Sequence, residues 1–504
     1  MLRTLVAAAA LWISAAHAAD LRIGIAADVT SMDPHFLNLA PNVNISWQVF
    51  DALTHVDENA RLVPGLAASW RAVDPMTWEF KLRRGVRFHD GSELTAEDVA
   101  FSIDRTRAVP NGQMRPFTQR IVTKEIPDPY TIRLKTLTPY AMVPYDLNSV
   151  FIVSKKATGS ARSEDFDSGK AMVGTGPFRF VRFARGDRVE LARNDAYWGG
   201  AAAWDRVTFR IVPTDPARLA GLLSGDLDLI EQVPTADLPR VRGDARLATA
   251  QKVSWRTIFF HLDQREPAPG AARNPFRDVR VRRALSMAIN RQAIAERLMD
   301  GAALPASNLV SPQVFGYAAD LKPDAYDPEG AKRLLAQAGY PDGFATTISA
   351  PNNRYVNDDQ IAQAVAQMLA RVGVRARVET MPMNVYLPKG SRHELSFAML
   401  GWGSFSGDLA LRALVATPDA KKGFGAFNWS DYSSRKVDEL VERALATVDD
   451  KAREALAQDA MRAAMRDYAV IPLHHQVTTW AMKRSLAYAP RTDEFTFAHH
   501  VRPR

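Results

Sequence analysis

The chain has 504 residues, 47% of them hydrophobic and 24% charged, and contains no cysteine. This is the composition of a long folded chain of about two to four packed units, and the lack of thiols excludes disulfides, thiolate zinc sites, iron–sulfur clusters and cysteine nucleophiles. The formal charge of +8 is spread over interleaved acids and bases, so no basic stripe for nucleic acid stands out.

Met1-Leu2-Arg3-Thr4, an apolar run over 5–15 and Ala16-His17-Ala18 have the order of a secretory leader with a small-residue cleavage site. Cleavage after residue 18 leaves 486 residues with charge +7, since Arg3 is the only charged residue lost. Without a cysteine there is no thiol to acylate, and the mature chain is expected in the periplasm, soluble and not lipid-anchored. Residues 21–25 alternate as a strand, and Met32-Asp33-Pro34-His35 turns toward a helix carrying Ile45, Val49, Phe50 and Leu53. Trp78, Phe80 and Leu82 share a strand face, and Asp90-Gly91 marks a turn. Thr95 to Asp98 opens a helix. Strands are then predicted around Tyr130, Ile132 and Leu134, and over 178–183, 188–192 and 207–212.

Helices dominate further on. Residues 278–300 read as two helical pieces meeting at Asn290 and stopped by Gly301. Asp327-Pro328 is a cap followed by a first-turn proline. Ile361, Val365, Met368, Leu369 and Val372 have helical spacing, while Val374, Ala376 and Val378 alternate as a strand. Helices near 434–447 and 450–467 precede an apolar strand at 469–473. Helix and strand thus alternate on both sides of residue 265, which predicts two α/β lobes, with 265–270 (Arg-Glu-Pro-Ala-Pro-Gly) as linker.

Hydrolase and nucleotide signatures are missing. Gly403-Ser404-Phe405-Ser406-Gly407 carries phenylalanine where a G-x-S-x-G nucleophile stands. Neither a phosphate-binding G-x-x-x-x-G-K-[ST] loop nor a complete dinucleotide loop occurs, and His393-Glu394 lacks the second histidine of a metalloprotease helix. His474-His475 and His499-His500 are neighbours along the chain; on a strand such side chains diverge, so they read as structural histidines and not as a metal site.

Residues 62–104, with L-V-P-G-L-A-A-S-W, T-W-E-F-K-L-R-R-G-V-R-F-H-D-G-S-E-L-T-A-E-D-V-A-F-S-I-D, resemble the signature of the extracellular solute-binding proteins, family 5. The likeness continues in order through S-M-D-P at 31–34, G-T-G-P-F at 174–178, A-R-N-D-A-Y-W-G-G at 192–200, S-G-D-L-D at 224–228, V-R-R-A-L-S-M-A-I-N-R at 281–291 and A-K-R-L-L-A-Q-A-G-Y-P-D-G-F at 331–344. The resemblance implies an α/β, two-lobed periplasmic-binding-protein clamp with an extra domain inserted in the first lobe. Lobe I would be 19–47, 173–265 and 479–504; the inserted subdomain 48–172; lobe II 266–478. It implies a monomeric, non-enzymatic binding protein without a cofactor, which captures a peptide or peptide-like solute and delivers it to the transmembrane permease subunits of an ABC importer driven by its ATPase. Nickel chelates, haem and opines are ligands of the same fold family, and a secreted hydrolase is the reading from another class.

The family's binding positions carry over residue by residue. Gly401-Trp402-Gly403 resembles the segment lining the peptide cleft. Phe405 stands where peptide binders place an aspartate for the ligand's ammonium group, and Asp408 is three residues further on. Asn38-Leu39-Ala40 matches a loop that pairs with the peptide main chain, and Glu231 and Gln232 a second contact. Arg354 resembles the arginine that meets a ligand carboxylate, a task suited to a planar two-pronged donor. With Phe405 in the amine position, the resemblance implies an anionic ligand or a peptide without a conventional N-terminus.

Overall fold

The computed structural model describes residues 19–267 and 273–504. The expected leader and residues 268–270 of the expected linker lie outside the described residues.

β1 (Asp20–Ile25) buries Leu21, Ile23 and Ile25. β2 (Thr54–Val56) and β3 (Leu62–Pro64) form a short hairpin. β4 (Ala67–Asp74), β5 (Thr77–Leu82), β6 (Ile121–Asp128) and β7 (Thr131–Thr136) make a separate antiparallel sheet in the order β4-β5-β7-β6. The helix Ala96–Ala108 packs on it and starts where predicted, with the Asp98 carboxylate accepting the Thr95 N–H at 2.9 Å.

β8 (Phe178–Ala184), β9 (Arg188–Arg193) and β10 (Arg206–Ile211) bring the chain back beside β1. Then come β11 (Leu229–Ile230), β12 (Leu247–Leu262), β13 (Ala303–Pro305), β14 (Ala345–Pro351), β15 (Arg375–Met381), β16 (Phe397–Gly403) and β17 (Val470–Lys483). β18 (Leu486–Ala487) and β19 (Arg502–Pro503) pair with each other. The large mixed sheet has the order β15-β14-β16-β12-β17-β11-β1-β10-β9-β8, with β13 also on β17. One sheet therefore runs through both lobes.

At its centre the 16-residue β12 and 14-residue β17 are antiparallel partners. The ladder slips between the pairs Val253–Val477 and Thr257–His475, leaving Ser254, Trp255 and Arg256 out of register with β17. Such a bulge bends a strand and re-aims its side chains. On one side of the slip Trp480 and Met482 join the core of Leu21, Phe209 and Leu229; on the other, Phe260, Leu262 and Ile471 join that of Phe397 and Leu285. The two strands pass from one core to the other at the bulge.

The second half has the expected helices. Asn290 accepts the Ala293 N–H at 2.9 Å and so begins the second piece after the helix Val279–Met287. Asp327 caps the helix Pro328–Gln337, and the helix Asp358–Ala370 feeds β15 through Gly373 at φ 87°. The helices Gly407–Leu414, Arg435–Ala446 and Asp450–Arg466 share a core with the four-stranded sheet. Three bonds join them to the 140–145 segment: Ala141 N–H donates to the Leu445 carbonyl (2.8 Å), Arg453 to the Tyr145 hydroxyl (2.8 Å) and Arg412 to the Tyr140 hydroxyl (3.3 Å). Among the described residues no helix is long and apolar enough to cross a membrane.

Candidate functional site

The bulge in β12 gathers Trp255, Arg256 and Glu494 where the two cores meet. Trp255, freed from the β17 ladder, donates its backbone N–H to the Thr492 carbonyl at 2.9 Å. Ser254 Oγ accepts the Arg256 N–H at 2.8 Å. Arg256 then reaches Glu494 through Nη2 at 2.6 Å, and Glu494 also accepts from Ser254 Oγ (2.7 Å) and Gln476 Nε2 (3.0 Å). Burial alone raises a carboxyl pKa; here the Arg256 charge and these donors outweigh it, so Glu494 lies below the usual range and stays ionised. Glu494 holds a left-handed φ of 69°, a strained backbone kept by four donated hydrogen bonds from Ser254, Arg256 and Gln476.

β16 runs beside this pair, with Arg256 opposite Gly403 and Ile258 opposite Gly401. Both glycines are required by packing. A Cβ on Gly403 would stand 2.5 Å from Trp255 Nε1, and one on Gly401 would stand 2.6 Å from Tyr355 and Ile258. Tyr355 donates its hydroxyl to the Gly401 carbonyl at 3.1 Å. Trp402, between the glycines, is half-buried against Phe427, with ring centroids 4.7 Å apart. Phe405 is half-buried and meets Trp255 edge-on at 4.9 Å.

Arg354 precedes Tyr355, and its guanidinium carbon lies 5.6 Å from that ring. The residue is open to solvent and its backbone N–H is held by Asp358 at 3.0 Å. Among the described residues its guanidinium has no carboxylate partner. The surrounding protein, and next the like charge of Arg256, lower its pKa from the usual arginine value, while Tyr355, Glu494 and Asp358 oppose that effect. Arg354 therefore carries a planar two-pronged donor whose nearest carboxylate, Glu494, is already bonded to Arg256.

The other sequence-derived positions fall elsewhere. Asp408 is fully buried: it accepts from Leu409 N–H (2.8 Å) and the Ser406 hydroxyl, and lies 3.7 Å from the Arg453 guanidinium. Glu231 is buried with both oxygens occupied, by Ala26 N–H at 3.0 Å and the Thr496 hydroxyl at 2.9 Å. Gln232 is exposed at φ 52°, its carbonyl accepting from Arg218. Asn38, Leu39 and Ala40 are exposed at the start of the helix Ala40–Val49, and Asn38 N–H donates to Gln113. Trp255, Arg256 and Glu494 were not singled out from sequence. Trp255 and Arg256 sit in a strand interrupted by polar residues, and Glu494 lies in a loop without a motif.

The family described as bacterial extracellular solute-binding proteins, family 5, matches residues 61–411. The chain belongs to that family. It is 30% identical over 461 residues to the glutathione-binding protein GsiB of Pectobacterium atrosepticum, covering 88% of this chain and 86% of that one. It is 28% identical over 466 residues to heme-binding protein A of Haemophilus influenzae, covering 86% and 82%. Among solved structures, the Helicobacter pylori periplasmic binding protein DppA in complex with the peptide STSA superposes with a TM-score of 0.80 at 26% identity, over 96% of this chain and 98% of that one. The fold is the two-lobed clamp of periplasmic binding proteins, and the family 5 protein described here is a solute-binding protein.

Proposed function

We propose that this family 5 protein is the periplasmic receptor of an ABC importer, closing its lobes on a short peptide or peptide-like solute whose carboxylate meets Arg354, and passing it to the permease unchanged. The supporting observation is the Arg354 guanidinium, unpaired among the described residues, beside an Arg256–Glu494 pair that is already neutralised. The end of β16 at Trp402 and Gly403, half-buried and flanked by glycines, supplies close-approach backbone for an extended ligand. Asp408, three residues past Phe405, is turned to Arg453 and so does not take the place of the amine anchor. Lobe I would be 19–47, the part of 173–265 before the bulge, and the C-terminal segment after β17 crosses; 48–172 is the inserted subdomain and the intervening chain is lobe II. Closure suits scavenging: it removes the ligand from water and strengthens each polar contact.

The test is calorimetry with short peptides and their N-acetylated and C-amidated forms, beside native mass spectrometry of protein purified without denaturation. N-acetylated peptides are expected to bind at least as well as free-amine ones, while amidation or Arg354→Ala weakens binding by about ten- to a hundredfold, the worth of a charge-assisted bond. Preference for the free amine, or indifference to the carboxylate, overturns the reading.

A further inference from the structure

Phe405 has a second neighbour besides Trp255. It lines a cavity of about 700 Å³ that lies between the inserted subdomain and lobe II. Trp70, Trp78 and Tyr145 face it from the subdomain, and Phe315, Tyr317 and Phe405 from lobe II. Five of these rings are only half-buried; Trp78 is buried and donates its indole N–H to the Tyr140 carbonyl. Large apolar rings are ordinarily withdrawn from water, and aromatic residues left half-exposed around one concavity mark a surface that another group covers. The volume falls in the range of small-molecule sites.

The walls are held in place from behind. The buried Arg453 guanidinium lies 4.2 Å from the Phe315 ring and 4.6 Å from the Tyr145 ring, so one cation fixes an aromatic wall on each side of the gap. Trp255 fixes Phe405 edge-on. Gln313 spends its amide N–H groups on the Val253 carbonyl and the Thr492 hydroxyl, which fastens the loop before Phe315 to the β12 bulge. The cavity is therefore tied to the β12 bulge through Phe405 and Gln313.

We propose that this cavity is a subsite for an aromatic ring carried by the solute, at the end away from the carboxylate on Arg354; the assignment rests on the receptor reading given above. Asp450 and Glu454 also line the cavity, but Asp450 is paired with Arg453 at 3.5 Å and Glu454 accepts the Gly316 N–H at 3.4 Å; the six rings supply the apolar surface that fits a flat group. The solute class is a short peptide, or a compound of similar size, with a terminal carboxylate and a distal aromatic group.

The test uses N-acetylated tripeptides X-Ala-Ala with X as Ala, Leu, Phe or Trp, titrated into the full protein and into Trp70→Ala and Tyr317→Ala, with Phe405→Leu as a milder third variant should either of these fail to fold. The Phe and Trp peptides are expected to bind at least about tenfold more tightly than the Ala peptide, and each variant to cut that preference to about threefold or less. Arg354→Ala should weaken the whole series evenly. Equal affinities across X, or a ring preference that survives the variants, overturns the subsite while the receptor reading stands. If no peptide binds, the receptor reading fails and N-acetyltryptophanamide decides the cavity: binding lost in both Trp70→Ala and Tyr317→Ala supports it, and no binding to the parent protein overturns it.

Discussion

Arg256 and Glu494 show how much one residue pair controls at the cleft. Both side chains are largely withdrawn from solvent, 11% and 12% exposed, and neither has another charged partner of opposite sign in bonding contact. Removing one partner of a buried pair leaves an uncompensated charge, which costs about 3–5 kcal/mol. Arg256→Ala is therefore expected to destabilise the protein by that amount in urea unfolding, and Glu494→Gln by less, because the amide still accepts hydrogen bonds. The pH dependence separates the two. Since the folded Glu494 pKa lies below the unfolded one, its contribution is present above the unfolded carboxylate pKa and is lost as pH falls through the folded value. The parent should lose this increment on acidification and Glu494→Gln should not; parallel acid limbs would show that the pair carries no net stabilisation. Legibility at this scale follows chemistry that declares itself locally. Arg354 and the glycines of β16 are marked by residue type and neighbours, whereas Glu494 acquires its role only when the C-terminal loop folds over the β12 bulge. Asp408, which spacing places near the cleft, is turned inward by Ser406, Leu409 and Arg453.

Among the elements, the two crossing strands decide how the lobes move. The sequence predicts strands at 21–25, 178–183, 188–192 and 207–212, and β1, β8, β9 and β10 are found there, because each alternates cleanly with one face buried. It does not predict β12, and it predicts only the first residues of β17. Beyond Leu473 that strand reads His-His-Gln-Val-Thr-Thr, polar side chains that nonetheless are mostly buried between the lobes. A strand that changes environment halfway has no single period to read. The same feature gives a test. Gly403→Ala would push a methyl against Trp255 at the bulge, an overpacking cost of about 1–3 kcal/mol, and should weaken ligand binding beyond that of a comparable substitution such as Gly186→Ala on an exposed turn. Thermal unfolding and calorimetry together check it; unchanged affinity would place the bulge outside the binding machinery.

For the molecule as a whole, buried histidines and the contacts between the inserted subdomain and lobe II set two expectations. His261, His474 and His475 are buried, and burial pushes their pKa values down to about 3, 4 and 3. In the unfolded chain each would take a proton near pH 6.5, so stability is full above that pH and falls as pH drops below it. Between pH 7 and pH 5 each such histidine removes about 2 kcal/mol. The melting temperature should drop steeply over that interval, and His261→Leu should make the drop shallower; an unaltered slope would mean the imidazoles are already accommodated as cations. The bonds of Ala141, Tyr140 and Tyr145 to Leu445, Arg412 and Arg453 tie the 140–145 segment to the helices after β16. Replacing both hydroxyls, Tyr140→Phe with Tyr145→Phe, should enlarge the radius of gyration of the ligand-free protein in solution scattering, and saturating ligand should restore it.

The return of the chain through β17 also fixes an order of events during folding. Gln48 bonds to Thr496 and Ala498, 448 and 450 positions away, and Thr496 donates to Glu231 in the same core. The core of Leu21, Trp47 and Phe209 also takes Phe497, Ala498 and Val501, so it is not finished until the last residues arrive. Closing contacts of such sequence separation is slow. With no disulfide to hold partial structures, this core would stay loosely packed until the end of the chain docks. A molecule deprived of the residues after β17 should therefore keep the core of Phe260, Leu285 and Phe397 folded beside an incomplete first core.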